Sequence, residues 1–465
     1  MSLKSLFAAK DMTQGAPWQR ILEFSIPMLL GNVAQQLYNT ADSVIVGIYV
    51  GDNALAAVGN AMPILNLLLA LFVGISTGAG IVISQSFGAR DRKGLSKAIG
   101  NSMTLAAIAT LVVMVIGPLI TRPMLRMLDT PDSVMDWCSE YLTIYFLGIV
   151  GFFFYNILSG ILRGLGDSVS ALGFLLLAAA LNIVLDLVFV GVFGMGVPGV
   201  SLATVIAQAI SAVACFLKLM RMGDIFDLNR STVKLESNMA MRIIRIGVPS
   251  GITMAIMACA GMVVQSLTNS MGEMVMAANV IIMRVDGFAM MPNMSFGQAM
   301  SVYTGQNVGA GKIDRVNAGV KQGAIIALTC SAVITGVLLM ANKFLFGIFT
   351  ETQSLIDLAS RMMNIMAAGY LGVAITQVLG GVMRGAGDTV TPMWISILSN
   401  ILLRVPIAYI LAHFTASEAW PHGHPFALST SLLASWVLGA VMSCVVFKIG
   451  KWRKNMQEYA RPVMD

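Results

Sequence analysis

Long apolar stretches separated by short polar segments run along the whole chain. Twelve of them exceed about 18 residues, the length at which an α-helix crosses the hydrocarbon core of a bilayer. Barrel strands would need only about 10 residues each with strict alternation, so the pattern predicts an all-α membrane protein. The predicted spans are residues 21–49, 57–86, 98–120, 138–160, 170–192, 199–220, 242–270, 277–305, 318–341, 359–382, 391–414 and 426–449.

Composition supports the same class. Hydrophobic residues make up 57% of the 465 residues, charged residues only 11%, and the mean hydropathy is +0.80. A chain of this size and composition cannot cover itself with a water-soluble surface. It is therefore predicted to be an integral membrane protein.

Two short motifs recur at a common spacing. Arg-Gly-Leu-Gly-Asp-Ser at 163–168 returns 221 residues later as Arg-Gly-Ala-Gly-Asp-Thr at 384–389, and Gln-Ser-Phe-Gly-Ala-Arg at 85–90 returns at the same offset as Gln-Asn-Val-Gly-Ala-Gly at 306–311. A shared offset indicates one unit written twice, as in many membrane transporters with a central site.

The duplication predicts two six-helix lobes. The N-lobe is expected at 1–220 and the C-lobe, with a cytoplasmic tail, at 242–465. The polar interval 221–241 is the predicted cytoplasmic linker.

The basic residues predict the orientation. Of 29 Lys and Arg, 23 fall on one side of a twelve-span topology and four on the other. This bias predicts that both termini lie in the cytoplasm, and the protein is expected in a prokaryotic cytoplasmic membrane. The net charge of +6 is thus a topology signal, and no nucleic-acid partner is expected.

The paired motifs have a structural interpretation. Glycines let a helix end and the chain turn, and the acidic residue can cap the next helix or pair with arginine. Arg163, Asp167, Arg384 and Asp388 are therefore assigned to cytoplasmic turns, with a role in cytoplasmic gating as the alternative.

Few ionisable residues lie deep within the spans. They are Asp42, Asp186, Arg284, Asp286 and Arg404. Each costs about 2.5–3.5 kcal/mol on insertion scales, so such residues are candidates for function.

Polar residues around two of these aspartates share helical faces. Gln35 and Tyr38 precede Asp42 by seven and four residues, and Asn182 precedes Asp186 by four. The second copy has no counterpart of either carboxylate, since valine and isoleucine stand at the equivalent positions.

Three roles are open for the two aspartates. Desolvation and mutual repulsion would favour the protonated form of one of them, which suits a proton carrier. Alternatively, Asp42, Asn182, Asp186 and Thr204 offer the oxygen ligands that Na⁺ prefers. Hydrogen bonding between helices for packing alone is the third possibility.

The paired motifs, the twelve helices and the two lobes together resemble the multidrug and toxic compound extrusion (MATE) transporters. This resemblance covers nearly the whole chain. It implies cation-driven export of small organic, often cationic, compounds by a monomeric antiporter without a cofactor, with transported H⁺ or Na⁺ as the coupling ion.

The resemblance extends to single residues of the DinF-like branch. It implies a cation and proton network of Tyr38, Asp42, Asn182, Asp186 and Thr204. It further implies a bend of the first helix at Pro27 and a cavity residue at Asn156. The NorM-like branch uses acidic residues in its seventh and tenth helices, and 242–270 and 359–382 contain none.

The substrate cavity is expected to include Gln35, Asn156, Met283, Met290, Arg284 and Asp286. Methionines can line an adaptable cavity, although they serve more often as core or lipid-facing filler. Arg404 and Asp286 form a possible ion pair in the second lobe.

Other functions fit the sequence less well. A phosphate-binding loop is absent, which excludes an ATP-driven pump of that type. Gly74-Ile-Ser-Thr-Gly78 matches a hydrolase nucleophile elbow in letters only, because no strand precedes it, and no enzymatic activity is expected. A lipid or lipid-linked oligosaccharide flippase of the same superfamily is the main alternative, and a channel is a weaker one.

Overall fold

The computed structural model describes residues 9–127, 130–229, 232–450, 452–454 and 456. Within these ranges the protein is all-α, apart from one isolated bridge between Ser417 and Trp420. Residues 1–8 and the end of the predicted cytoplasmic tail lie outside the described residues.

Within the described residues up to Ser270, the chain forms eight helices. They are α1 (Pro17–Tyr49), α2 (Asp52–Gly88), α3 (Arg92–Met127), α4 (Asp132–Leu147), α5 (Ile149–Gly164), α6 (Ser168–Asp186), α7 (Gly196–Met220) and α8 (Ser237–Ser270). A π-helical segment, Leu187–Val192, continues α6.

Residues 273–450 form seven more helices. They are α9 (Glu273–Gly309), α10 (Ile313–Gly347), α11 (Gln353–Met366), α12 (Gly369–Gly385), α13 (Val390–Ser396), α14 (Arg404–Phe414) and α15 (Phe426–Ile449). A π-helical segment, Ile397–Leu403, joins α13 to α14.

Every predicted span coincides with a helical segment, but two spans are bent. The axes of α4 and α5 differ by 53°, and those of α11 and α12 by 47°. The first bend falls at Gly148, where a Cβ atom would lie 2.2 Å from the Val205 side chain. The hydropathy pattern missed both bends because a bent helix stays apolar throughout.

The helices have the length and composition of membrane spans. In the described part of the chain, nine single helices are long and apolar enough to cross a bilayer, and the two bent pairs bring the number to eleven. The twelfth predicted span is α1, whose middle is diluted by polar residues such as Gln35, Gln36 and Asn39. The chain is an all-α membrane protein.

The chain divides into two compact units. Unit 1 contains the residues up to Asp11 and Ile26–Gly251, and unit 2 contains Met12–Ser25 and the residues from Ile252 onward. Of the three boundaries, the one between Asp11 and Met12 precedes α1, and the other two fall within helices α1 and α8. The lobes and linker proposed from the repeat stay a prediction.

The predicted linker is held against α3 within unit 1. Arg92 binds the Asp227 carboxylate at 2.8 Å and the Gly223 backbone oxygen at 2.6 Å. The Asp227 backbone N–H donates to Ser96 Oγ, and the Glu236 N–H donates to Asn101 Oδ1. These bonds fix the segment to the first turns of α3.

The two units repeat one helix contact. In unit 1, a Cβ atom on Gly164 would lie 2.7 Å from the Gly80 backbone oxygen, and in unit 2 a Cβ on Gly385 would lie 2.3 Å from the Ser301 oxygen. The positions match at the offset of the sequence repeat. Glycine lets the helix backbones meet, as small residues do in membrane helix pairs.

Gly74 and Gly78, which matched the hydrolase elbow, serve a similar contact. They lie inside α2, and Cβ atoms there would come within 2.4–2.7 Å of the backbone of α8 at Gly247, Gly251 and Ile243. Their spacing of four matches that of Gly247 and Gly251. The motif is thus a helix-packing feature.

The Arg-Gly-x-Gly-Asp motifs form turns, as predicted. Gly166 and Gly387 adopt φ values of 83° and 88°, a region that favours glycine. Asp167 accepts a hydrogen bond from the Ser170 N–H at 2.9 Å, and Asp388 accepts one from the Thr391 N–H at 3.1 Å. Each aspartate therefore caps the following helix.

The Gln-x-x-Gly-Ala motifs end α2 and α9. Gln85 Oε1 accepts from Arg242, and Gln306 Oε1 accepts from the Met12 backbone N–H. At the equivalent turn position, Gly311 has φ 68° and Arg90 has φ 55°. The first copy thus places a non-glycine residue in the left-handed region.

Candidate functional site

Two aspartates of unit 1 meet in the protein interior. Asp42, on α1, is 7% exposed, and Asp186, the last residue of α6, is fully buried. Their carboxyl groups lie close enough to interact electrostatically. Residues 144 positions apart in the sequence therefore form one acidic pair.

Asn182 and Thr204 complete the group. Asn182 Nδ2 donates to Thr204 Oγ1 at 3.3 Å, and the Thr204 hydroxyl donates to the Val200 backbone oxygen at 3.1 Å. The Tyr38 side chain reaches Thr204 and lies close to Asp42. The structure thus brings together the five residues predicted as the cation and proton network.

Several oxygens of this group have no donor. Among the described residues, Asp42 Oδ1, Asn182 Oδ1 and both carboxylate oxygens of Asp186 are buried without a hydrogen-bond partner. A buried polar group left unsatisfied costs about 1–3 kcal/mol, and an ionised group costs more. A proton shared by the carboxyls, or a cation bound by the oxygens, would remove this cost.

The composition of the group suits a hard cation. Its candidate ligands are two carboxylates, one amide carbonyl and one hydroxyl, all of them oxygen donors. The amide nitrogen of Asn182 is committed to Thr204, so its oxygen is free to face a positive charge. The residues therefore fit either Na⁺ or a proton.

The backbone changes at Asp186. α6 ends there, and the chain continues with the wider π-helical pattern over Leu187–Val192. Such segments occur frequently at functional sites because the altered turn redirects side chains. The position of Asp186 at this junction could not be read from hydropathy.

Two tyrosines near the aspartates were missed by the sequence reasoning. Tyr141 and Tyr145 of α4 are 3% and 6% exposed. Both lie close enough to Asp42 to feel its charge. Their spacing of four, which places both on one face of α4, was the available signal.

The other predicted residues of unit 1 lie elsewhere. Gln35 donates to Asn39 Oδ1 at 3.3 Å. Asn156 donates to the Phe152 backbone oxygen and lines a cleft of about 290 Å³. Pro27 lies inside the continuous helix α1.

The predicted residues of unit 2 are dispersed. Tyr370 donates a 2.6 Å hydrogen bond to Asp286, while Arg404 acts on Asp286 only electrostatically. Asp286 thus has a tyrosine partner in place of the predicted arginine. Arg284 and Met283 are exposed, the latter by 59%.

Met290 lines a cleft in unit 2. This cleft, called here the unit-2 cavity, encloses about 690 Å³. Its lining mixes apolar side chains with serine, threonine, asparagine, glutamine and one arginine, Arg384. Of the two methionines predicted to line a substrate cavity, Met290 is among the residues of this lining and Met283 is not.

Comparison with known proteins identifies the family. The MatE family model matches residues 27–188 and 249–410, which together exceed half of the chain. The chain belongs to the MatE family. The two matched segments correspond to the two copies indicated by the sequence repeat.

Named relatives support this assignment. The chain is 30% identical over 430 residues to the probable multidrug resistance protein YoeA of Bacillus subtilis, covering 90% of this chain and 92% of the relative. It is 23% identical over 403 residues to the multidrug export protein MepA of Staphylococcus aureus, covering 85% and 87%.

Solved structures share the fold. A MATE protein in a bent conformation superposes with a TM-score of 0.89 at 22% identity, over 99% of this chain and all of that one. An outward-facing multidrug resistance MATE family transporter gives 0.88 at 22% identity, over 97% and 98%. MATE transporters have twelve transmembrane helices in two lobes, and this chain has that fold.

Proposed function

We propose that the protein is an antiporter that exports organic, drug-like and often cationic compounds across the cytoplasmic membrane, driven by entry of H⁺ or Na⁺. Family membership and the multidrug relatives support the transport class. The fold supports alternating access, which membrane transporters built from repeats commonly use.

One observation carries the coupling proposal. The Asp42 and Asp186 carboxyls face each other in unit 1, and four buried oxygens around them lack donors. A pair that served only for packing would be satisfied by its neighbours. The unsatisfied oxygens therefore suggest a site that is completed by a transported ion.

The mechanism follows from charge balance. With both carboxylates ionised, their repulsion favours uptake of one positive charge, as a proton on one carboxyl or as Na⁺ between them. Asn182 Oδ1 and Thr204 Oγ1 would add neutral oxygen ligands, and Tyr38 would link Thr204 to Asp42. Uptake removes the repulsion and lets α1 approach α6.

Movement of α1 would pass the effect to the substrate. Asp42 lies on this helix fifteen residues beyond Pro27, where the missing backbone donor weakens the helix. We propose that ion uptake bends α1 at Pro27 and releases the exported compound. Gln35, Asn156, Met283, Met290, Arg284 and Asp286 remain the proposed substrate contacts.

Proteoliposomes test the coupling. Purified protein would be reconstituted and loaded with a fluorescent organic cation, and efflux would be followed after a proton or a sodium gradient is imposed separately. Wild-type protein should show efflux driven by at least one gradient. Asp42→Asn and Asp186→Asn should each abolish this acceleration.

Asp136→Asn is the matched control, because Asp136 is an exposed unit-1 aspartate paired with Arg122. It should transport as the wild type does. Full gradient-driven efflux by Asp42→Asn would overturn the coupling role. Unaccelerated efflux by the wild type under both gradients would overturn antiport itself.

A further inference from the structure

Arg163 and Arg384 stand at equivalent positions of the two copies but have different surroundings. Arg163 Nη1 donates to Ser159 Oγ at 2.8 Å, one turn earlier on α5. The position equivalent to Ser159 is Gly380, so Arg384 has no hydroxyl one turn earlier on α12. Among the described residues, the Arg384 side chain has no hydrogen-bond or ion-pair partner.

A second sequence difference between the two copies opens space beside Arg384. In unit 1, the buried Tyr155 lies against both Arg163 and Ser159. Its equivalent in unit 2 is Thr376, which is much smaller. Loss of the phenol ring and of the serine side chain leaves the unit-2 cavity where unit 1 is filled.

Part of the lining of the unit-2 cavity is polar where the equivalent positions of unit 1 are apolar. Leu175, Ala178 and Ala179 of α6 correspond to Ser396, Ser399 and Asn400, which line the cavity. Asn400 Nδ2 bonds both serine hydroxyls, at 3.3 and 3.2 Å. A cavity kept only for apolar packing would not need these groups.

The cavity has an apolar part as well. Met257, Met290 and Trp436 line it, and Trp436 packs against Tyr370 with ring centroids 5.3 Å apart. Arg384 is the only charged residue among its described lining residues. The cavity thus combines one unpaired guanidinium, several small polar groups and an aromatic surface.

We propose that the unit-2 cavity binds the anionic group, carboxylate or phosphate, of an amphipathic organic molecule, with Arg384 as the counter-ion. The planar guanidinium offers two parallel donors to such a group. The hydroxyls and the Asn400 amide surround the anion, and Trp436 with the methionines holds the apolar part. This site does not depend on the proposed ion coupling, because it lies in unit 2 and involves none of the coupling residues.

Equilibrium binding tests the proposal. Isothermal titration calorimetry in neutral detergent would compare 4-phenylbutanoate with 4-phenylbutylamine, which share shape but carry opposite charge. The carboxylate should bind at least about tenfold more tightly, as expected for a charge-assisted contact. Arg384→Gln should remove this preference.

Two substitutions of Gly380 distinguish a specific effect on the guanidinium from a general loss of folding. Gly380→Ser restores the hydroxyl that holds the guanidinium in unit 1, and should weaken carboxylate binding about fivefold. Gly380→Ala adds the same Cβ, which would lie 3.2 Å from Arg384 Nη1, without the hydroxyl, and should stay within about twofold of wild type. Equal binding of the two ligands, or equal affinity of the serine and alanine variants, would overturn the proposal.

A further titration distinguishes two sources of the anion, a lipid headgroup and a soluble organic acid. The same titration would be repeated in nanodiscs of phosphatidylcholine with or without phosphatidylglycerol. Weakened phenylbutanoate binding with the anionic lipid assigns the site to a lipid headgroup. Unchanged binding assigns it to a soluble organic acid, and both results support an anion site at Arg384.

Discussion

Asn182 donates from Nδ2 to Thr204 Oγ1 at 3.3 Å, and this hydrogen bond joins α6 to α7 within unit 1. It orients the amide so that Asn182 Oδ1 is left without a donor close to the aspartate pair. The bond thus positions an acceptor for a positive charge.

Thr204→Val tests this positioning. The substitution keeps the shape of the side chain but removes the acceptor of the Asn182 amide, so the amide can rotate. We expect the ion concentration for half-maximal efflux to rise about tenfold, as the loss of a hydrogen bond at a charged site implies.

The readout is efflux from proteoliposomes at graded H⁺ or Na⁺. Thr335→Val is the control, since Thr335 is a buried threonine of unit 2 that bonds only the Ala367 backbone oxygen. An unchanged half-maximal concentration in Thr204→Val would contradict the ligand role of this pair.

Gly78 allows a close helix crossing. Gly78→Ala would place a Cβ atom 2.5 Å from the Ile243 backbone oxygen, which the helices can avoid only by moving apart. We expect destabilisation of about 1–3 kcal/mol, typical of overpacking. The melting temperature in detergent is the measurement.

Gly336→Ala should stabilise the protein, in contrast to the destabilisation expected for Gly78→Ala. Gly336 lies inside α10, and no described atom lies within 4 Å of its added Cβ. Replacement of a helical glycine by alanine stabilises by about 0.4–1 kcal/mol where the backbone permits it. Equal melting temperatures of the two variants would refute the packing role of Gly78.

Tyr370 satisfies Asp286 in unit 2. Its hydroxyl donates to Asp286 Oδ1 at 2.6 Å, so Tyr370→Phe would remove the donor of a partly buried carboxyl. Loss of this partner should cost about 1–3 kcal/mol of stability. Tyr409→Phe, where an exposed hydroxyl bonds a backbone oxygen at 3.4 Å, should cost less than about 0.5 kcal/mol.

Thermal unfolding of both variants, followed by tryptophan fluorescence, would decide this case. A melting temperature for Tyr370→Phe equal to that of Tyr409→Phe would show that Asp286 needs no donor.

The loop that follows α7 depends on pH through Asp227. The hydrogen bond from Arg92 lowers the pKa of this exposed carboxyl. Because the pKa is lower in the folded protein, the stabilisation is present above the unfolded value of about 3.9 and is lost as pH falls through the folded pKa.

Hydrogen exchange of the loop amides would measure this effect. Asp227→Asn should exchange faster than the wild type near neutral pH, and the difference should shrink below about pH 3.9 as the wild-type carboxyl is protonated. Asp224→Asn is the control, because Arg92 bonds the backbone oxygen there. A difference that persists unchanged in acid would exclude the Asp227 charge as the cause.

Local chemistry explains why much of the fold was predictable. Each transmembrane span must satisfy its own backbone within about 20 apolar residues, so hydropathy alone indicates the helices. The turn residues Gly166 and Gly387 were predictable for a similar reason, because glycine is favoured at positive φ. The bend at Gly148 was not predictable, since it depends on a contact with Val205.

The candidate site was predictable only in part. A spacing of four residues predicted that Asn182 lies beside Asp186 on one helical face. The high cost of a charge within a membrane span made Asp42 a functional candidate. The hydrogen bond of Tyr370 to Asp286 was not predicted, because spacing along one helix contains no information about a tyrosine on another. Tyr145 was missed for the same reason.

The sequence by itself determined the membrane class, the helices and the duplication, because hydropathy, glycine turns and a fixed offset are local or periodic properties. Only the tertiary structure decided that Asp42 lies beside Asp186. It also decided that Arg384 lines a cavity, whereas Arg163 is hydrogen-bonded to Ser159. Both facts depend on side chains that approach from different helices, and no pattern along one helix specifies which neighbour fills the space beside it.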